Sequence, residues 1–209
     1  MNKETLIRYL IDSGSLKTPE IIKAFKKIPR ENFVPEHLKS YAYIDEPLPI
    51  LAGQTISQPT TIAIMTEALK PKKGNRILEI GAGSGYQSAI LSEIVGKDGI
   101  IITIERIKEI YEYAKQKLKN YKNVKVVCGD GSCGYGKFAP YDRIIVTASA
   151  PQVPKPLKEQ LNIDGRLVIP VGAYTQKMML LIKTKNGFKE FDLGCFVFVK
   201  LIGKYGWRE

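Results

Sequence analysis

A glycine-rich turn between a short apolar strand and a helix is the segment of the sequence best suited to bind a ligand. The strand is predicted over Arg76–Ile80, and the turn reads Gly81-Ala82-Gly83-Ser84-Gly85. Alternate glycines let the backbone approach a ligand closely, and open α/β sheets bind ligands at the carboxyl ends of their strands. The turn therefore predicts a nucleotide-type site.

Acidic residues around this turn indicate which nucleotide would bind. Glu79 lies two residues before the first glycine, where a carboxylate would repel a pyrophosphate but suit the ammonium group of S-adenosylmethionine (AdoMet). Glu105, twenty residues beyond Gly85, ends the second strand and is placed to accept hydrogen bonds from ribose hydroxyls. Tyr86 occupies the position where a dinucleotide motif needs its last glycine. These features favour AdoMet over a dinucleotide.

The order of these residues resembles that of the class I AdoMet-dependent methyltransferases. Glu79, the G-x-G-x-G turn, Glu105 and Asp130 lie at the ends of three successive predicted strands. The resemblance implies that Asp130, after the third strand, meets the adenine amine. The competing interpretation is that the glycines only close a turn and that the acids are solvated strand ends.

The remaining pattern predicts the elements that position this site. From residue 75 onward, short apolar strands alternate with amphipathic helices. This alternation predicts an α/β fold with a doubly wound, Rossmann-like, mostly parallel sheet and helices on both faces. Further strands are predicted at Ile100–Glu105, Val124–Cys128, Arg143–Thr147 and Arg166–Pro170, and helices at Tyr86–Val95, Ile107–Asn120 and Lys155–Leu161. Two last strands, at Lys177–Thr184 and Cys195–Leu201, would add an antiparallel C-terminal edge around a Lys185-Asn186-Gly187 turn.

The first third of the chain predicts a helical N-terminal extension and a loop. One helix is predicted over Lys3–Ile11, and a second follows an N-cap at Thr18 and runs through Lys27. The stretch Pro29–Pro59 has five prolines and no long periodic run, which predicts a structured cover loop. We expect a single domain, with N-terminal helices and cover loop over residues 1–70 and the α/β core over residues 71–209.

Composition restricts the cellular setting and the partners. The chain has 209 residues, a net charge of +11, no apolar run long enough for a membrane span and no signal-peptide pattern, so we expect a cytoplasmic protein without a membrane partner. Three cysteines without C-x-x-C spacing suggest neither a disulfide framework nor a metal site, and we expect buried thiols. They are Cys128, Cys133 and Cys195.

Three segments before the first core strand resemble the protein-L-isoaspartate O-methyltransferases, in that family's order. They are Pro29–Pro35, Ala42–Ile50 and Gly53–Pro59, and further matches are Gly129–Gly131, Tyr141–Ala148, Pro151–Pro154 and Leu167–Gly172. The resemblance implies methyl transfer from AdoMet to the α-carboxylate of isoaspartyl residues in proteins and peptides, with S-adenosylhomocysteine as the other product. The methyl ester would then close to a succinimide, part of which reopens as aspartate.

The resemblance also implies roles for individual residues. Ser57 matches the family's active-site serine, although it could equally serve as a helix N-cap. Thr55 and Ile56 should border the cofactor, and the residues holding its nucleoside end should be Ser84, Glu105, Asp130 and Gly131. An α-carboxyl group has a pKa of about 3.3–3.7 and is ionised at neutral pH, so no general base is needed. The lone histidine, His37, accordingly shows no relay spacing.

Two residues carry open questions. The C-terminal Phe196–Leu201 resembles a family strand that usually ends in Val-Pro-Leu, but Lys200 stands where the proline would be. The departure leaves the local backbone and the substrate contacts near Ile202 open. Asp45 could contact substrate or anchor a loop, and turn chemistry favours anchoring.

Two other functions compete with this interpretation. The charge of +11 would suit an RNA methyltransferase, but Thr147–Pro151 replaces the Asn/Asp-Pro-Pro-Tyr/Phe motif that amino-methylating enzymes usually carry after the fourth strand. A non-catalytic AdoMet-binding module would be expected to have a damaged glycine turn or serine segment, and both are intact. We therefore expect a monomeric enzyme that acts on isoaspartyl proteins and peptides and not on nucleic acid.

Overall fold

The computed structural model, which describes residues 1–208, is built around a seven-stranded mixed sheet. In chain order the strands are β1 (Leu48–Pro49), β2 (Thr55–Ile56), β3 (Arg76–Ile80), β4 (Ile100–Glu105), β5 (Val124–Cys128), β6 (Tyr141–Val146), β7 (Leu161–Val171), β8 (Gln176–Thr184) and β9 (Gly187–Phe196). The α-helices are α1 (Lys3–Asp12), α2 (Pro19–Lys27), α3 (Pro59–Leu69), α4 (Tyr86–Val95), α5 (Lys108–Lys117) and α6 (Lys155–Glu159).

The strand order of the main sheet is β5-β4-β3-β6-β7-β8-β9. The first five strands in this order, β5, β4, β3, β6 and β7, are parallel to one another. Strands β8 and β9 follow as an antiparallel hairpin. The chain moves outward from β3 through β4 to β5 and then returns to place β6 on the other side of β3. This reversal opens a crevice at the carboxyl ends of β3 and β6, where doubly wound folds bind ligands.

The two faces of the sheet are covered unequally. Alternate strand residues face opposite sides, so Ile77 and Ile145 pack with Met65 of α3, whereas Leu78 and Ile144 lie in a cluster on the other face. The second face is covered by the five-residue helix α6 and by short 3₁₀ turns. The prediction of a doubly wound α/β fold with helices on both faces and an antiparallel C-terminal edge is confirmed.

The N-terminal helices pack onto the same side of the core as α4 and α5. Apolar residues of α1 and α2 share one buried cluster with Ile90 and Ile110. Glu67 of α3 fixes the start of α2 because its carboxylate accepts hydrogen bonds from the backbone N–H groups of Lys17 and Thr18, at 2.7 Å each. Thr18 is the N-cap residue, as predicted, but its hydroxyl makes no capping hydrogen bond and donates to Glu67 instead, at 2.6 Å.

A buried arginine organises the proline-rich segment between α2 and α3. Arg30 is fully buried, its Nε donates to the carbonyl of Ala42 at 2.8 Å, and its guanidinium lies 5.4 Å from the ring centre of Tyr86. Burial lowers the pKa of Arg30 to about 10, which leaves the side chain charged at neutral pH. The short β1–β2 pair closes the same segment. The expectation of a structured loop is confirmed.

The predicted strand at Cys195–Leu201 is wrong, because β9 runs over Gly187–Phe196. The alternating apolar residues after Phe196 satisfy a strand pattern, but Gln176 binds the backbone of Phe198 with both amide atoms, at 2.6 and 3.0 Å. These two hydrogen bonds direct the chain away from the sheet edge and across the carboxyl ends of the parallel strands.

The expectation that the cysteine thiols are buried is also wrong. Cys128 and Cys195 are exposed and Cys133 is half-buried. Cys128 lies on β5 and Cys195 on β9, which are the two edge strands of the sheet, so their side chains reach solvent. The edge position of β5 could not be inferred from its sequence.

The predicted bounds of β3, β4, β5 and α4 match the structure, and those of β6, β8, α5 and α6 differ by a few residues. Among the other strands, the largest error is at β7, which begins at Leu161 because that residue pairs with Tyr141. The polar stretch Asn162–Gly165, in which Asp164 has a φ of +61°, is typical of a turn rather than a strand. Within residues 1–208, no helix is long and apolar enough to cross a membrane.

Candidate active site

A cavity of about 1040 Å³ lies at the carboxyl ends of β3 and β6. Its size is at the upper end of the range for small-molecule sites, so it can hold two reactants together. Most of the residues singled out from the sequence line it: Thr55, Ile56, Ser57, Glu79, Gly81, Gly83, Ser84, Glu105 and Gly131. Gly85 and Asp130 are not among the lining residues. Gly85 instead starts α4, with a φ of +86°.

The turn after β3 has a conformation that requires glycine. Gly81 has a φ of +92°, and a Cβ atom there would lie 2.3 Å from the Thr147 hydroxyl oxygen. That hydroxyl donates to the carbonyls of Ile80 and Gly81, at 3.0 and 2.8 Å. Thr147 therefore holds the glycine turn against the end of β6. This role was not predicted, because Thr147 was assigned as the last residue of a strand that in fact ends at Val146.

Glu79 is the most unusual polar group of the cavity. The side chain is fully buried, and one carboxylate oxygen accepts a hydrogen bond from the Ser88 hydroxyl. The other oxygen, Oε1, has no hydrogen-bond partner within residues 1–208. Burial raises the pKa of Glu79 to about 7, and the charge of Glu105 adds to the rise, while the hydroxyls of Ser88 and Thr103 oppose it. A buried carboxylate oxygen without a partner is suited to a cationic ligand group.

Glu105 is held in a fixed orientation by backbone donors. Its Oε2 accepts from the N–H of Gly83 at 3.2 Å, and its Oε1 accepts from the N–H of Ile107 at 3.0 Å. Each carboxylate oxygen can accept further hydrogen bonds, so the group remains able to bind ligand hydroxyls. Both acids thus present acceptor oxygens at the cavity; that Glu79 binds the amine and Glu105 the ribose of AdoMet stays a prediction.

Asp130 faces the C-terminal residues. Its carboxylate accepts from the backbone N–H and the hydroxyl of Ser132, at 2.8 and 2.7 Å, and from the backbone N–H of Lys204, at 2.7 Å. Burial acts to raise the pKa of Asp130, but these hydrogen bonds outweigh it and lower the pKa. The adjacent Gly131 lines the cavity instead.

Ser57 also lines the cavity, in the short connection between β2 and α3. The N-cap residue of α3 is Gln58, so the interpretation of Ser57 as the N-cap is wrong. Asp45 binds this end of the helix: its carboxylate accepts from the N–H and hydroxyl of Thr60, at 2.8 and 2.7 Å, and from the Gln58 amide, at 3.1 Å. The prediction that Asp45 anchors a loop is confirmed.

The cavity is also lined by residues Phe196–Ile202, here called the acceptor segment. Gln176 binds this segment at Phe198, and Ser149 binds it at Val199 and Leu201. The N–H of Ser149 donates to the carbonyl of Val199, and the carbonyl of Ser149 accepts from the N–H of Leu201, at 2.8 Å each. Gln176 and Ser149 were both missed from sequence, because their partners are distant along the chain.

Replacing Lys200 by proline is expected to change the free energy of unfolding by less than about 1 kcal/mol. The bridge to Ser149 uses the carbonyl of Val199 and the N–H of Leu201, so the N–H that proline lacks is not needed there. The substitution does remove an ammonium group that lies 5.5 Å from the ring centre of Trp207, a contact worth about 0.5–1 kcal/mol at an exposed site. Chemical denaturation of both proteins measures the change. A loss above about 2 kcal/mol would mean that the backbone at this position rejects proline.

Comparison with known proteins agrees with this geometry. The family model described as Protein-L-isoaspartate(D-aspartate) O-methyltransferase (PCMT) matches residues 1–206. A protein-L-isoaspartate O-methyltransferase of Methanococcus aeolicus is 50% identical over 208 residues, covering 99% of this chain and 96% of that protein. The enzyme of that name from Pyrococcus abyssi is also 50% identical over 208 residues, covering 97% and 95%.

Solved structures show the same fold. One named protein-L-isoaspartate O-methyltransferase superposes with a TM-score of 0.90 at 33% identity, covering 98% of this chain and 67% of that chain. Another, from Plasmodium falciparum, is described as a beta-aspartate methyltransferase (PCMT) in complex with S-adenosyl-L-homocysteine. It has a TM-score of 0.86 at 26% identity and covers 97% of this chain and 99% of that one. The chain therefore belongs to the protein-L-isoaspartate(D-aspartate) O-methyltransferase family of AdoMet-dependent methyltransferases.

Proposed function

We propose that this protein transfers the methyl group of AdoMet to the α-carboxylate of L-isoaspartyl residues in damaged proteins and peptides. The observation that carries the proposal is one cavity with two kinds of lining. The buried carboxylates of Glu79 and Glu105 line it together with the glycine turn, and Ser57 and the acceptor segment also line it. The same cavity can therefore hold a cationic nucleoside beside a carboxylate acceptor.

The two acids and the glycine turn would hold AdoMet. Glu79 would bind the ammonium group, Glu105 would accept hydrogen bonds from the ribose, and Thr55 and Ile56 would border the cofactor. The remaining contacts would come from Gly81, Gly83 and Ser84 of the glycine turn and from Gly131 after β5. Gly85, which does not line the cavity, would set the turn that starts α4, and Asp130 would act from behind the lining residues. When bound, AdoMet supplies an electrophilic methyl group on a sulfonium centre.

Ser57 and the backbone N–H groups near it would bind the acceptor carboxylate through neutral donors. This choice follows from the charges of the reaction, because a cation and an anion are both neutralised as the methyl group moves. A strong ion pair to the carboxylate would stabilise the reactants more than the transition state. Neutral hydrogen bonds orient the nucleophile without that cost, and alignment of reactants alone can supply effective molarities of roughly 10⁵–10⁸ M.

No proton has to be removed during the transfer. The isoaspartyl α-carboxyl is ionised well below neutral pH, so it attacks as it stands. The lone histidine, His37, is exposed in a 3₁₀ turn of the cover loop and does not line the cavity. After release, the backbone nitrogen that follows the isoaspartyl residue attacks the methyl ester, methanol leaves, and a succinimide forms without help from the enzyme.

Replacing Ser57 by alanine is expected to lower kcat by about two- to tenfold and to leave AdoMet affinity nearly unchanged. The range corresponds to the loss of one neutral hydrogen bond to the acceptor. Steady-state kinetics and calorimetric titration with AdoMet measure the two effects. Ser84→Ala is the matched control at the cofactor end and should instead weaken AdoMet binding. Unaltered turnover in Ser57→Ala would remove Ser57 from the acceptor site.

The reaction type is tested by the chemistry of the product. After incubation with AdoMet and an isoaspartyl peptide, mass spectrometry should show a peptide that has gained one methyl group. Mild base should then release methanol and leave a succinimide, as expected for a carboxyl ester. A base-stable methylated peptide would indicate transfer to nitrogen. Incubation with structured RNA under the same conditions should give no methylated product.

A further inference from the structure

The chain after the acceptor segment turns back on itself and packs against the residues that follow β5. Residues Gly203–Trp207 are here called the C-terminal hook. The two ends of the hook are hydrogen-bonded to each other, because the N–H of Gly203 donates to the carbonyl of Trp207 at 3.1 Å. The N–H of Trp207 donates to the carbonyl of Leu201 at 2.8 Å, and its indole N–H donates to the carbonyl of Ser149 at 2.9 Å. The last residue of the hook is therefore hydrogen-bonded to the acceptor segment at Leu201.

The other side of the hook is bound to the residues that follow β5. The backbone N–H of Lys204 donates to Asp130 at 2.7 Å, and the backbone N–H of Tyr205 donates to the Ser132 hydroxyl at 3.0 Å. That hydroxyl in turn donates to Asp130, at 2.7 Å. A Cβ atom at Gly203 would lie 2.0 Å from an Asp130 oxygen, so the backbone approaches the carboxylate as closely as a glycine allows.

These bonds account for most of the hydrogen-bonding capacity of Asp130. A carboxylate has about four acceptor directions, and here Ser132 supplies two donors and Lys204 a third. The Cys133 thiol lies 3.6 Å from the same group as a weak fourth donor. The carboxylate thus binds protein groups on the acceptor side, in addition to any contact with adenine that the family resemblance implies.

We propose that Asp130 is a positioning residue for the methyl acceptor: it fixes the C-terminal hook and thereby the acceptor segment that forms one wall of the cavity. The inference rests on the proposed function and extends it, because it links a residue at the cofactor end to the binding of the peptide. The link runs from Asp130 through the hook to Leu201, which Ser149 holds beside the cavity.

The test compares four proteins in peptide kinetics and AdoMet titration. Asp130→Asn keeps the size of the side chain but replaces one acceptor oxygen by a donor, and Ser132→Ala removes the acceptor for Tyr205 at a residue that does not line the cavity. Lys204→Ala is the matched control, since it keeps the backbone N–H that binds Asp130. Wild type is the reference.

We expect Asp130→Asn and Ser132→Ala to raise the KM for an isoaspartyl peptide by about tenfold, and by a larger factor than either raises the Kd for AdoMet. Lys204→Ala should match wild type in both. The proposal is overturned if Asp130→Asn weakens AdoMet binding but leaves the peptide KM unchanged, or if both variants match wild type.

Hydrogen exchange gives a measurement that does not depend on methyl transfer. In Asp130→Asn and Ser132→Ala, backbone amides of the acceptor segment and hook should exchange about tenfold faster, while those of β3 and β4 keep their wild-type rates. Unchanged exchange in residues 196–207 would overturn the positioning role even if the enzyme were active. Faster exchange in a protein that methylates no isoaspartyl peptide would contradict the proposed function and leave the role of Asp130 in the hook standing.

Discussion

Replacing Glu79 by glutamine is expected to weaken AdoMet binding by about 10- to 100-fold, because a hydrogen bond to a charged group is worth roughly 1.5–3 kcal/mol. Glutamine keeps the shape of the side chain and can still bind the Ser88 hydroxyl, but it removes the negative charge from the fully buried position. Calorimetric titration with AdoMet measures the loss. Equal affinity in the variant would mean that Glu79 does not bind the ammonium group.

The pH dependence of binding gives a second measure of the same role. The pKa of Glu79 is about 7 in the unliganded protein, and only the ionised form attracts an ammonium group. Affinity in wild type should therefore rise as the pH increases through 7, and this rise should be absent in Glu79→Gln. A pH-independent affinity in wild type would contradict the assignment.

The pH dependence of the free energy of unfolding supplies a control for Glu79→Gln. The pKa of Glu79 in the folded state lies above its ordinary value of 4.5, so the folded protein holds this proton more tightly than the unfolded chain. Glu79 should therefore lower the free energy of unfolding as the pH rises from about 4.5 to 7, with no further change above that range. The difference between wild type and Glu79→Gln, followed by denaturation across pH, isolates this contribution. The variant should be at least as stable as wild type at pH 8.

Replacing Gly81 by alanine is expected to destabilise the protein by roughly 3 kcal/mol. A Cβ atom would lie 2.3 Å from the Thr147 hydroxyl oxygen, and the φ of +92° is unfavourable for any residue with a side chain. Thr147 would have to rotate away and lose its two hydrogen bonds to the turn. Chemical denaturation without AdoMet measures the effect, and a variant as stable as wild type would show that the turn does not depend on this glycine.

Gly83→Ala is the matched control for this effect. Gly83 has a φ of +52°, and the nearest atom to an added Cβ is the carbonyl oxygen of Thr55, at 4.0 Å. The variant should fold with a loss of about 1 kcal/mol, the cost of the left-handed conformation alone. Because Gly83 lines the cavity, the added methyl group should still weaken AdoMet binding. The two variants thus separate the effect of a glycine on folding stability from its effect on AdoMet binding.

The core of the fold was predictable because its strands form short apolar runs, and those of β3 and β4 are buried on both faces. Strands β3, β4 and β5 and helix α4 were assigned with their observed bounds. The rule that ligands bind at the carboxyl ends of parallel strands then placed Glu79, Glu105 and the glycine turn in one cavity. Local periodicity and strand polarity were sufficient for this part of the site.

The C-terminal part was not predictable, because its conformation depends on partners far away in sequence. The alternation after Phe196 is a normal strand pattern, and only the contacts with Gln176 and Ser149 direct the chain across the cavity. The same holds for Asp130, whose backbone partner at Lys204 is 74 residues away. The roles of the individual cofactor residues, the monomeric state and the cytoplasmic location remain predictions.

The most direct test of the proposed function uses two peptides that are identical except that one contains L-isoaspartate and the other L-aspartate. Each is incubated with the protein and with AdoMet labelled in its methyl group, and AdoMet binding is measured in parallel. We expect strong labelling of the isoaspartyl peptide and none of the aspartyl peptide. Labelling of neither peptide by a protein that binds AdoMet, or equal labelling of both, would contradict the proposal.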